Sequence, residues 1–189
     1  MDMLFSNGLM VEAKTVETLT KSHVAQTINY LLLTGMHDGL LVNLRRDRVE
    51  KKFISTTLNL HQRRQFSLCD EGWITTSEAS DRWRQLTIDL LSDWGTFLEI
   101  NLYRNALVEL LNGADPVRRR IPIFDGNTEM GTQEVCLLDP ETAFVVTGLK
   151  SGLSAMEHHF QQFLNHTALA RLQWVNMNNH LIEFRTIVR

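Results

Sequence analysis

Residues 9–17 read LMVEAKTVE, an apolar run with one carboxylate, Glu12, and one ammonium, Lys14, set into it. A short apolar run bounded by polar residues reads as a strand with a covered face. Side chains two apart on a strand share a face, so Glu12 and Lys14 point the same way. A charge buried in a sheet is costly unless it is paired or put to use. The fold therefore has to bring something to that face. The plainer reading is a solvated strand face carrying an ordinary ion pair, worth about 0–1 kcal/mol.

The residues before this run supply a candidate partner. MDMLFSNGLMVEAKTV reads as two short strands around Ser6-Asn7-Gly8. A three-residue loop with glycine last, in the left-handed region, sets a register of Phe5 opposite Leu9 and Asp2 opposite Glu12. Asp2, Glu12 and Lys14 then share one face. A two-residue Asn-Gly turn would shift the register by one and send Asp2 to the other side.

A helix follows, with Thr20 or Ser22 as its cap, Gly35 as its stop, and Val24, Ile28, Leu31 and Leu32 as its apolar stripe. His23, Gln26 and Tyr30 lie on another face. GLLVNL and RVEKKFISTTL read as strands joined by the basic turn Arg45-Arg46-Asp47-Arg48. Residues 59–76 are polar and read as a linker. Thr75 to Glu78 has capping-box spacing. Helices are expected over 78–94, to Gly95, and over about 97–112. Strands follow at VRRRIPIF, QEVCLLD and TAFVVTGLK, then a helix over 153–168 and two closing strands, LARLQWVN and HLIEFRTIV.

The two ends of the chain resemble each other. HVAQTIN (23–29) matches HFQQFLN (159–165), and LLVNLRRDRVEKKFI (40–54) matches QWVNMNNHLIEFRTI (173–187). In the second pair, Val-Asn is followed by Glu seven residues after the Asn. Matching the nine-residue spacing from Lys14 to His23 with that from Lys150 to His159 puts Lys150 opposite Lys14 and Gly148 opposite Glu12. Asp2 falls near Cys136. This reads as an internal duplication. Its C-terminal copy keeps the scaffold and lacks both carboxylates. The N-terminal copy has no counterpart to the elements at 78–124.

Bulk composition excludes several classes. The 43% hydrophobic content suits a packed core and not a disordered chain. No run reaches the roughly 18 apolar residues of a membrane span. The first residues lack a basic leader, so no signal peptide is expected. Cys69 and Cys136 have no C-x-x-C partners and read as free thiols of a cytoplasmic protein. Net charge is −3, but residues 1–65 carry nine Lys/Arg against six Asp/Glu, leaving the remainder acidic. The basic part holds the E-x-K, which suits a phosphate-bearing ligand there.

D-(x)9-E-x-K on a hairpin, followed by a helix bearing Gln26, resembles the PD-(D/E)XK nuclease-like superfamily. The text VEAKTVE, His23-Val-Ala-Gln26-Thr-Ile-Asn-Tyr30 and Gly39-Leu-Leu-Val-Asn43 is most similar to the GxxExxY family of bacteria. Gly95, Glu99 and Tyr103 lie near that family's namesake motif, at a different spacing, and no role is carried to Glu99 or Tyr103. The resemblance implies an α/β fold, a restriction-endonuclease-like mixed sheet flanked by helices, here as two related copies. These are a partial copy at 1–58, a linker at 59–76 and a full but degenerate copy at 77–189.

The resemblance also implies a Mg²⁺ or Mn²⁺ site for phosphodiester hydrolysis. Asp2 and Glu12 are the metal-holding carboxylates, and Asp2, Glu12, Lys14 and Gln26 the catalytic set. Two carboxylates on adjacent strands repel when empty, and a hard divalent ion between them removes that cost. Lys14 would orient a water or stabilise charge on the phosphate. Gln26 would hydrogen-bond the nucleophile or the substrate backbone. Arg45, Arg46 and Arg48 are candidate phosphate contacts, or an ordinary solvated turn.

His158, His159, His166 and His180 form no H-x-x-x-H pair and read as surface or packing residues. Arg118-Arg119-Arg120 alternates faces of a strand, so at most two act together. Two functional classes remain. One is a metal-dependent nuclease acting on DNA or RNA. The other is an inactive nuclease-like protein with a binding or assembly role. For the second, an uncovered sheet in the short copy calls for a partner. That partner would be the other copy, another subunit in a homodimer, or upstream residues lost through a misassigned start.

Overall fold

The computed structural model describes residues 2–5 as backbone, and residues 8–45 and 48–189 in full. Ser6 and Asn7 of the first loop, and Arg46 and Asp47 of the basic turn, lie outside the described residues. The chain divides into two compact units. One holds residues 1–65 and 97–99, the other residues 66–96 and 100–189.

The first unit is built on a four-stranded mixed sheet in the order β1-β2-β3-β4. β1 (Asp2–Phe5) and β2 (Leu9–Lys14) pair antiparallel, with Asp2 opposite Glu12 and Phe5 opposite Leu9. This is the register that a three-residue loop demands, and Gly8 takes the expected left-handed φ of 80°. Helix α1 (Lys21–Thr34) crosses to β3 (Asp38–Asn43), which runs parallel to β2, and β4 (Glu50–Ser55) returns antiparallel. Thr20 caps α1, its N–H donating to His23 Nδ1 at 3.0 Å, and Gly35 stops it. Helix and sheet meet through Leu31, Met10, Leu41 and Ile54. Gly39 permits their close approach: a Cβ there would lie 3.3 Å from Thr27 Cγ2 and 3.4 Å from Leu31 Cδ2.

The stretch 59–76 is not a bare linker. Leu60–Arg63 form α2, and Ser67–Gly72 form β5. Arg63 is buried and donates to the carbonyl of Leu32 at 2.6 Å. β5 is a polar edge strand held to its neighbour by backbone hydrogen bonds, so its side chains carry no apolar alternation to read.

The second unit holds a six-stranded mixed sheet in the order β5-β10-β9-β8-β7-β6. Its other elements are α3 (Glu78–Trp94), α4 (Ile100–Leu110), α5 (Ala114–Val117), β6 (Arg118–Asp125), β7 (Thr128–Asp139), β8 (Thr142–Thr147), α6 (Leu153–Asn165), β9 (Arg171–Asn178) and β10 (Leu181–Val188). Helix α3 is capped by Ser77, which accepts from Ser80 N–H at 3.2 Å, and not by Thr75. The residue preceding the first helical turn takes that role. Phe160 and Leu164 of α6 pack on Ala143, Leu172, Trp174 and Ile187 of the sheet. Trp83 is fully buried against Phe144 and Phe184.

Each unit therefore contains strand, strand, helix, strand, strand, with the middle strands parallel. In that register Lys14 pairs with Asn43, and Thr147 with Asn176. Lys150 lies beyond the end of β8. Compared on the paired asparagines, the second-unit residues at the positions of Lys14 and Glu12 are Thr147 and Val145. The sequence matching to Lys150 and Gly148 is corrected accordingly. Helix spacing alone slides by a few residues, whereas parallel strand pairing does not.

Among the described residues no helix is long and apolar enough to cross a membrane. Replacing Gly39 by valine forces α1 off the sheet and is expected to destabilise the first unit by about 1–3 kcal/mol. Amide exchange over residues 9–14 and 38–43 would show it. Tryptophan fluorescence would not, because Trp73, Trp83, Trp94 and Trp174 all belong to the second unit. Exchange unchanged from wild type would contradict this packing.

Candidate functional site

The face of β2 that meets α1 carries Met10, Glu12 and Lys14 in turn. Met10 belongs to the core, so the two charges continue an apolar row. Glu12 is 1% exposed and Lys14 16%. Lys14 Nζ is ion-paired with Glu12 Oε1 and donates to Gln26 Oε1 on α1 at 2.7 Å. Gln26 Nε2 in turn donates to Tyr30 Oη at 2.9 Å. The solvated surface pair is thus excluded: the carboxylate is inside, and the ammonium is held between two fixed acceptors.

Glu12 Oε2 is the exception. It is buried and, among the described residues, has no hydrogen-bond partner. A carboxylate oxygen out of water without a donor is costly, so a native structure that keeps one calls for a reason. Across the strand pair stands Asp2, whose backbone is directly opposite Glu12. Its side chain lies outside the described residues. Among the described residues no group of three His, Cys, Asp or Glu side chains is arranged to hold a metal ion. Hard divalent ions do not require one: Mg²⁺ takes one or two carboxylates and completes its shell with water and substrate oxygens. An orphaned buried carboxylate oxygen with a second acidic residue on the adjacent strand fits such an ion.

The end of β2 is fixed by a residue that the sequence reading did not assign a role. Asn43 is fully buried. Its Oδ1 accepts from Val16 N–H at 3.1 Å, and its Nδ2 donates to Val16 O at 2.8 Å and to Glu50 Oε2 at 3.4 Å. This clamp holds the chain just past Lys14. In the second unit Asn176 does the same to Leu149, at 2.7 and 3.0 Å, and donates to Glu183 Oε2 at 3.1 Å. The Val-Asn pattern with its trailing Glu was the available signal.

The basic turn does not join the cluster among the described residues. Arg45 is exposed and loosely paired with Glu17 at 3.7 Å, and Arg48 is exposed. Arg46 lies outside the described residues. Glu99 lies in the first unit, its N–H donating to Asn29 Oδ1 at 3.0 Å. Tyr103 is buried and donates to Gly95 O at 2.6 Å, a structural contact within the second unit. His158, His159, His166 and His180 are exposed.

Comparison with known proteins agrees on the first unit. Residues 1–55 match the family model of the PD-(D/E)XK nuclease superfamily. No curated protein and no solved structure matches the chain. The match covers the sheet and helix that carry Glu12, Lys14 and Gln26, and it supports a nuclease-like class for this unit.

The pair itself makes a testable demand. Lys14→Ala leaves the Glu12 carboxylate buried without its counter-charge and should cost the first unit about 2–4 kcal/mol. Glu12→Gln in that background should restore part of the loss, since the stranded charge is then gone. Amide exchange of β2 measures both. Simple additivity of the two substitutions would contradict the buried pair.

Proposed function

We propose that the first unit is a metal-dependent nuclease site of the GxxExxY and PD-(D/E)XK type, hydrolysing phosphodiesters of DNA or RNA. The observation that carries this reading is the orphaned Glu12 Oε2 beside Lys14, inside a segment matching that superfamily. Glu12 and Asp2 would hold Mg²⁺ or Mn²⁺. Such an ion supplies Lewis-acid polarisation of a phosphate and lowers the pKa of a bound water. Lys14 presents its ammonium beside Glu12, where it would stabilise negative charge developing on the phosphoryl oxygens. Gln26 holds Lys14 by one end and Tyr30 by the other. Its role is therefore to position Lys14, and contact with the nucleophile is the lesser part.

The second unit is best read as a related copy that has lost the chemistry. Its strand order, parallel pairing and asparagine clamp parallel those of the first. Val145 and Thr147 at the positions of Glu12 and Lys14 offer no carboxylate and no ammonium. The domain reading becomes a nuclease-like unit, followed by a degenerate copy that also takes in β5.

A second reading, an inactive binding or assembly protein, has one observation in its favour. The edge strand β4 exposes Phe53 at 72%, and Val49 and Leu44 beside it are also exposed. Exposed apolar groups on a sheet edge invite a partner, a second copy of the chain included.

Incubation with single- and double-stranded DNA and with RNA separates the two readings. The wild type should cleave at least one of them with Mg²⁺ or Mn²⁺ and lose that activity in a chelator. Lys14→Ala should lower the rate on the order of 10²–10³-fold. Glu12→Gln should abolish cleavage. Absence of metal-dependent cleavage, or equal rates in the variants, would favour the binding reading, and a dimer in sedimentation would extend it.

A further inference from the structure

The second unit holds a cavity of about 460 Å³ lined by residues of α4, β6–β9 and α6. That volume lies within the range of small-molecule sites. Its apolar walls include Val145, Phe160, Phe163 and Leu172. Two guanidiniums, Arg104 and Arg118, also line it. Among the described residues neither forms an ion pair. Arg118 donates to the neutral amide of Asn105 at 2.7 Å, and the exposed Arg104 has no hydrogen-bond partner among the described residues. The one carboxylate on the lining is Glu134, and it pairs with neither arginine. Burial pushes the pKa of the Cys136 thiol in the same cavity up, while the positive charges of Arg118 and Arg104 act against it. Both cations thus bear on Cys136 in a largely apolar space that also holds Gln133 and His159.

We infer that this cavity binds a small amphipathic organic anion, its apolar body against Phe160, Phe163 and Leu172 and its anionic head on Arg104 and Arg118. Guanidinium forks match carboxylate and phosphate oxygens, and an exposed Arg104 with a half-buried Arg118 leaves the head at the solvent side of the cavity. The inference stands on these groups alone: loss or survival of nuclease activity in Glu12 variants does not bear on it.

The probe is anilinonaphthalene sulfonate, titrated by fluorescence into the full chain, with naphthoate and adenosine monophosphate as competitors. Saturable one-site binding is expected, weakened roughly tenfold or more by the paired changes Arg104→Gln and Arg118→Gln. Displacement by naphthoate assigns a carboxylate head, and displacement by the nucleotide a phosphate head. In a Cys69→Ser background, the bound probe should also slow alkylation of Cys136, the remaining thiol, with no arginine altered. No saturable binding, affinity unchanged in the arginine variant, displacement by neither competitor, or Cys136 alkylated at the same rate with and without the probe would overturn the inference.

Discussion

A carboxylate placed where a hydrophobic side chain would ordinarily sit organises the first unit. Glu12 continues the row begun by Met10, against the same helix, at almost zero exposure. Such a group survives burial only with compensation, and the fold supplies half of it. Lys14 neutralises one oxygen and is steadied from α1 by Gln26. The other oxygen has no donor among the described residues. A structure selected for stability alone would do better with an apolar residue here, since buried ion pairs are often neutral or unfavourable against well-packed hydrophobes. The charged row is kept instead, and the proposed cation site rests on that.

The supporting frame is separable from that chemistry. The parallel pairing of β2 with β3, the crossover by α1 and the Asn43 clamp place the end of β2 whatever Glu12 does. The same frame recurs around Asn176, with Val145 and Thr147 in place of the charged pair. There the Thr147 hydroxyl donates to Asn176 Oδ1 and accepts from Trp174 Nε1, while Val145 and Trp174 share their row with Arg185, which pairs with Glu157 and Glu183. One topology thus carries its charges on β2 in the first unit and on β10 in the second.

Much of this was legible in the sequence because it depends on local rules. The Ser6-Asn7-Gly8 loop set the register that brings Asp2 opposite Glu12, and period-two reasoning placed Glu12 with Lys14. Gly35 and Gly95 marked helix ends through backbone conformation. What escaped lacked a periodic signal. β5 is a polar edge strand identified by hydrogen bonds to β10, and α2 is four residues long. The likeness of the two ends was visible, but matched on its helices it runs three residues out of step with the strand registers, because similar helices tolerate sliding. Only the strand register corrects it. That Asn43 grips Val16 is a long-range contact no spacing rule contains.

The central claim is that Glu12 Oε2 is a ligand position for a divalent cation. Electron paramagnetic resonance of aqueous Mn²⁺ titrated with the protein addresses it without reference to any substrate. The account predicts saturable loss of the free-ion signal with the wild-type chain, reversed by excess Mg²⁺, and no comparable loss with Glu12→Gln. Equal Mn²⁺ binding by the two proteins, or none by the wild type, would contradict it.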